Sequence, residues 1–166
     1  MDQLKEKLLG VFQEKLAIYR QLAVVFEQEK ACIVTSDVAA LWALSARKQA
    51  LAGDLRGRRA ALLAAVTAAG IPHALDAATF TLAQLLAVLP VDCGRALRPL
   101  VVQVLNLKDL IRTLAAPNRR LLDDGLAMVA DLIGTIVNVE RAGSGYGRCQ
   151  SVGRCAQRNL FLHQEV

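Results

Sequence analysis

From Asp2 to about Val34 the apolar residues step by three and four, mostly in pairs: Leu8 and Leu9, Val11 and Phe12, Leu16, Ile18 and Tyr19, Leu22 and Ala23, Val25 and Phe26. That is the period of an α-helix. The paired stripe is wider than a two-position coiled-coil seam, so this helix is expected to touch two neighbours. At 1.5 Å per residue it spans about 50 Å. Its five basic and five acidic residues cancel, and most are expected to face solvent. Thr35-Ser36-Asp37 interrupts the pattern, and any of the three can accept a backbone N–H at the start of a new helix. The second helix, 37–69, carries Leu41, Leu44, Lys48, Leu51, Leu55, Arg58 and Leu62 and stops at Gly70-Ile71-Pro72. Two helices of similar length across a short break predict an antiparallel hairpin.

Thr81 is placed to cap a short helix, 81–89, closed by Pro90. Asp92 opens a fourth stretch, 92–138, with Leu97, Leu100, Val101, Val104, Leu105, Lys108, Ile111 and Leu114; alternatively Pro99 marks its first turn. Val101-Val102-Gln103-Val104-Leu105 has the composition of a strand, but nothing nearby offers it a partner. Pro117 either kinks one long helix or divides it, with Asn118 capping the second part. Beyond it Leu122, Leu126, Val129, Ile133 and Ile136 keep the heptad step, with Leu121, Met128 and Leu132 alongside. Residues 139–166 read as a flexible tail, with Gly143-Ser144-Gly145-Tyr146-Gly147 and two Gly-Arg-Cys triplets. Leu160-Phe161-Leu162 forms a small apolar cluster in it. The expected fold is all-α: an antiparallel helical hairpin or bundle of long, coiled-coil-like helices over 1–138, followed by the tail.

Composition supports helices and raises one alternative. Leu and Ala supply 28 and 27 of the 166 residues, and both favour helix over strand. With 54% hydrophobic and only 21% charged residues, a membrane protein has to be considered. Length excludes it: the charge-free stretches Ala60–Leu75 and Ala77–Val91 fall short of the roughly 20 apolar residues a span needs, and both contain proline. The charged start, Met1-Asp2-Gln3-Leu4-Lys5-Glu6-Lys7, is not a signal peptide, so the cytoplasm is the expected compartment. Cys32, Cys93, Cys149 and Cys155 are too scattered for a disulfide framework. Cys149 and Cys155, with His163 beyond them, lack the tight knuckle of a zinc site.

Catalytic motifs are absent, and neither His73 nor His163 has a readable nucleophile or carboxylate partner. Asp123, Asp124 and Asp131 describe the solvated face opposite Leu122. No enzyme, cofactor, metal or small-molecule substrate is therefore expected. The net charge of +5 centres on Arg47, Lys48, Arg56, Arg58 and Arg59. With 4% aromatics and no recognition-helix motif, a solvated basic face explains it better than a nucleic-acid partner. Lys48 and Arg58 fall on the leucine seam itself. There they either fix register or lay their stems along apolar surface with the charges in water, the second being favoured.

The chain resembles the FlgN family of flagellar export chaperones. The resemblance runs through Glu29, Asp37, Leu41, Leu44, Lys48, Leu51, Leu55, Arg59 and Leu62, then Asn118-Arg119-Arg120-Leu121-Leu122, Leu126, Ile133 and Tyr146-Gly147. It implies a non-catalytic role: binding the C-terminal helical segment of hook-associated proteins, preventing their premature assembly and delivering them to the export gate. By the same resemblance Tyr146 docks at the gate, and Asp37, Lys48, Arg59 and Asn118 serve the structure. A partner helix could lie in a groove built from Leu122, Leu126, Val129, Ile133 and Ile136, unless those five are core against the hairpin. The rivals are a self-associating coiled coil, such as a homodimer, and a small helical nucleic-acid-binding protein.

Overall fold

The computed structural model describes residues 2–76 and 78–143, with side chains described as far as 138. Tyr146, Cys149, Cys155, Leu160-Phe161-Leu162 and His163 lie outside the described residues. Four helices and no strand occur among the described residues: α1 (Asp2–Val34), α2 (Val38–Ala68), α3 (Leu82–Val88) and α4 (Val91–Gly143). The valine-rich run 101–105 is helical, inside α4.

The α1–α2 turn closes with two bonds of opposite reach. Asp37 N–H donates to Cys32 O (2.9 Å) and Ser36 N–H to Ile33 O (3.1 Å), with Ser36 in the left-handed region at φ 55°. Of the three candidate caps, Asp37 does the work: its Oδ1 accepts the Ala40 N–H at 3.0 Å. Gly70 ends α2 with φ 68°, where a Cβ would be strained. Thr81 opens α3 with a reciprocal capping box. Its hydroxyl accepts from Gln84 N–H (3.2 Å), while Gln84 Oε1 accepts from Thr81 N–H (2.7 Å). Thr81→Ala should therefore lower the unfolding free energy by about 1 kcal/mol in urea titration.

Ion pairs show the hairpin to be antiparallel, since Glu14 meets Arg58 and Glu29 meets Lys48. α4 runs the other way, parallel to α1. Leu97 and Val104 join the cluster of Leu8 and Phe12, and further along Asn118 bonds to Phe26 O and Glu29, at sequence separations of 92 and 89. The wide stripe of α1 thus has two neighbours. One cluster joins Leu8 and Phe12 to Leu62 and Val66 of α2, Leu85 of α3, and Leu97 and Val104 of α4. A second joins Ile18, Leu22 and Val25 to Leu51, with Leu44 and Ile111 packed against it.

α4 is a single helix through both prolines. It begins at Val91, so Pro99 is not its first turn, and it is not divided at Pro117. Each proline deprives the carbonyl four residues earlier of its helical N–H partner. Pro99 and Pro117 are exposed, as are Arg95 and Thr113 at those earlier positions, so water can take the bonds. Nor does the helix stop at 138; it continues to Gly143. The chain divides into two units, Met1–Gly125 and Leu126–Val166. With a separation of about 90, α1 is used up at Val34, level with Asp124, and the packed unit closes there.

Lys15 breaks the rule that α1 charges face solvent: it is 7% exposed. Burial, with Lys108 and Arg59 adding to it, pushes its ammonium from the ordinary 10.5 down to about 8. The folded state therefore releases this proton before the unfolded chain does, and stability rises with pH between 8 and 10.5. Below pH 8 the full cost, on the order of 3 kcal/mol, is present. Urea titrations at pH 7 and 10.5 should show the wild type gaining on Lys15→Met by up to that amount.

Candidate functional site

Along α4 one stripe runs from end to end. Cys93, Leu97, Val101, Val104 and Asn118 lie on it and are buried in the bundle, with Leu107, Ile111 and Leu114 half-buried between them. At the same three-and-four step come Leu122, Leu126, Val129, Ile133 and Ile136, and these are exposed: 36%, 69%, 52%, 56% and 60%. Leu121, Met128, Leu132 and Val137 beside them are exposed too. The opposite face is polar and locally satisfied. Arg119 reaches Asp123 at 3.7 Å, Thr135 Oγ1 donates to Asp131 O at 2.9 Å, and Asp123, Asp124 and Asp131 are solvated. Contiguous exposed apolar surface of this kind is a common feature of interaction sites. The five residues share one helix, so they form a ridge. The second wall that a groove requires is not supplied by these residues.

Within the first unit a polar cluster ties three helices together. Glu29 of α1 is buried and bonded to the Lys48 ammonium of α2, which also lies 5.0 Å from the Phe26 ring centroid. Asn118 of α4 donates its Nδ2 to Phe26 O at 2.8 Å and to Glu29 Oε2 at 3.1 Å. Its Oδ1 is buried without a hydrogen-bond partner. Asn118 is thus not a helix cap: α4 passes through it unbroken, and its side chain is spent on α1. Lys48, whose side chain is 27% exposed, pairs its charge with a buried carboxylate. Arg58 does stay near water, in a 2.8 Å pair with Glu14 in which both side chains are about half exposed, worth well under 1 kcal/mol.

Of the remaining residues singled out from the sequence, Asp37 caps α2 and stands apart from this cluster. Arg59 donates to Phe80 O and lies 4.3 Å from the Phe80 ring centroid, fastening α2 to the segment before α3. The basic cluster is consequently dispersed: Lys48, Arg58 and Arg59 are engaged within the fold, while Arg47 and Arg56 are exposed. Sequence reasoning treated α1 charges as solvated and so missed the depth of Lys15 and the hub role of Glu29. Their signal was available: both occupy steps of the apolar stripe, 8-12-15 and 22-25-29.

Among the described residues no helix is long and apolar enough to cross a membrane, and no group of histidine, cysteine and carboxylate side chains could hold a metal ion. These features define an all-helical protein with a packed bundle core and an exposed apolar stripe on the last part of its final helix. The chain belongs to the FlgN family: the family model, described as FlgN protein, matches residues 1–152. This is a family of flagellar export chaperones for hook-associated proteins, a chaperone family rather than an enzymatic one. No curated protein and no solved structure matches the chain.

Proposed function

We propose that the chain holds the C-terminal helical segment of a hook-associated protein along α4, keeps it from assembling early and hands it to the export gate. The observation that carries this is the exposed stripe Leu122, Leu126, Val129, Ile133 and Ile136 in a chain of this family. A client helix with apolar residues at i, i+3, i+4 and i+7 can pack along such a ridge, as in a two-stranded coiled coil. Because one helix offers only one wall, the client is expected to bring a second helix of its own or to be amphipathic on two sides.

Co-purification with a C-terminal fragment of a hook-associated protein tests the proposal. A complex that is lost in Leu126→Asp and Ile133→Asp supports it. A chain that dimerises through the same stripe and ignores the fragment would support a self-associating coiled coil instead. Gate delivery by Tyr146 follows from the family resemblance; Tyr146→Ala should reduce export of the client while leaving its capture intact.

A further inference from the structure

A cavity of about 650 Å³ opens between α1, α2, α4 and the segment around α3. Its apolar lining comes from Phe80, Leu82, Leu86, Val101 and Leu105. Its polar lining includes Lys15, Tyr19, Arg59 and Lys108, and no acidic residue lines the cavity. Lys15 is the informative member. It is 7% exposed, and no carboxylate lies within ion-pair distance of it among the described residues. Its nearest ring is Phe12, at 5.9 Å from the ammonium. Lys108 and Arg59 are the charges that act on it, and both are cations.

Proteins bury an ammonium at considerable cost and normally pair it when they do. Packing does not require a lysine at this step of α1, where a methionine of similar length would fill the space without the charge. Arg59 has its guanidinium committed to Phe80 O and the Phe80 ring, and its charge also reaches Asp76, which is solvent-exposed and outside the lining. The two lysines therefore supply the open positive charge of the cavity. A small hydrated anion would leave the apolar wall unused, and a neutral apolar ligand would leave the ammonium groups unpaired.

We infer that this cavity is a binding site for a carboxylate carried on a short apolar body, with Lys15 and Lys108 holding the carboxylate and the Phe80–Leu86 wall holding the body. The site does not depend on the client-binding proposal, and its test uses no client. A free alkanoate and the C-terminus of an apolar peptide present the same chemistry.

Calorimetric titration of the full chain at pH 7 with octanoate, octanamide and inorganic phosphate tests the inference. Octanoate should bind at least tenfold more tightly than either of the others. Equal binding of octanamide would overturn it, because the charge would then play no part. Equal binding of phosphate would overturn it as well, because the apolar wall would count for nothing, and so would no binding of octanoate. Lys15→Met should lose at least tenfold in octanoate affinity yet melt at a higher temperature than the wild type when no ligand is present. That opposite movement separates a binding role from a structural one. Lys108→Met, at a half-buried position, carries the same affinity test should the first variant alter the fold. Undiminished binding in both variants would overturn the assignment. An acetylated Ala-Leu-Leu peptide with a free C-terminus, set against its amide, then tells the two sources apart: tighter binding than octanoate identifies a peptide end, and weaker binding a free acid.

Discussion

With Leu126 and Ile133 both replaced by aspartate, the chain should lose its client fragment by a hundredfold or more while its helical circular dichroism stays close to wild type. The two side chains are 69% and 56% exposed in the free protein, so their removal opens no cavity. The cost to the helix is the lower propensity of aspartate, a few tenths of a kcal/mol at each position. In a complex the same side chains would be buried against the client, at about 1.5–3 kcal/mol each. Losing both removes about 3–6 kcal/mol, which corresponds to a hundredfold to ten-thousandfold in affinity. Carboxylates forced into the interface add a desolvation cost on top. Pull-down read alongside circular dichroism checks both halves of this expectation. Unfolding of the variant would mean that the stripe is core, and binding at wild-type strength would move the client to another face.

Asn118→Asp should destabilise the bundle by about 3–5 kcal/mol at pH 7, the range seen when a buried charge is left uncompensated. The side chain is 1% exposed, and its Nδ2 supplies hydrogen bonds to both Phe26 O and Glu29 Oε2. The substitution removes that donor and sets a second carboxylate about 3 Å from the first, with Lys48 the one cation bonded there among the described residues. No relief comes from the other oxygen, since the position of Oδ1 has no donor near it. Two carboxyls in one buried site hold a shared proton more tightly than they do in the unfolded chain. The folded variant thus binds the extra proton first, and its stability should recover as pH falls from 7 toward 5 and decline again as pH rises. Asn118→Ala is the control. It deletes the same hydrogen bonds without adding charge, so it should cost about 1–3 kcal/mol and show no such recovery in acid. Urea titrations at pH 5 and 7 distinguish the two, and equal stability of Asn118→Asp and wild type would mean that Asn118 does not face Glu29.

The charged residues show where sequence reasoning reached and where it stopped. Lys48 and Arg58 were visible as charges on an apolar seam, and one helix was enough to see that. Their different fates were not visible, because they depend on what stands opposite. Lys48 faces a buried glutamate from α1, whereas Arg58 faces Glu14 at the edge of the hairpin. Pro117 was ambiguous for a similar reason. Local chemistry makes it a helix breaker, but a bundle that holds the helix on one side and leaves the proline in water on the other keeps the helix whole.

The sequence by itself determined the helices, their caps and the stripe that runs along the last of them. Spacing by three and four, an N-cap at Asp37 or Thr81 and a left-handed stop at Gly70 are local signals, and local energies of about 1 kcal/mol each suffice to express them. Only the tertiary structure decided which part of the α4 stripe is core. Cys93 to Asn118 and Leu122 to Ile136 look alike in periodicity, and burial is a property of the neighbour rather than of the residue. α1 has 33 residues to offer, and at a separation of about 90 they are spent by Asp124. The same is true of the cavity, whose three cations come from three different helices and become one site only when the bundle closes around them.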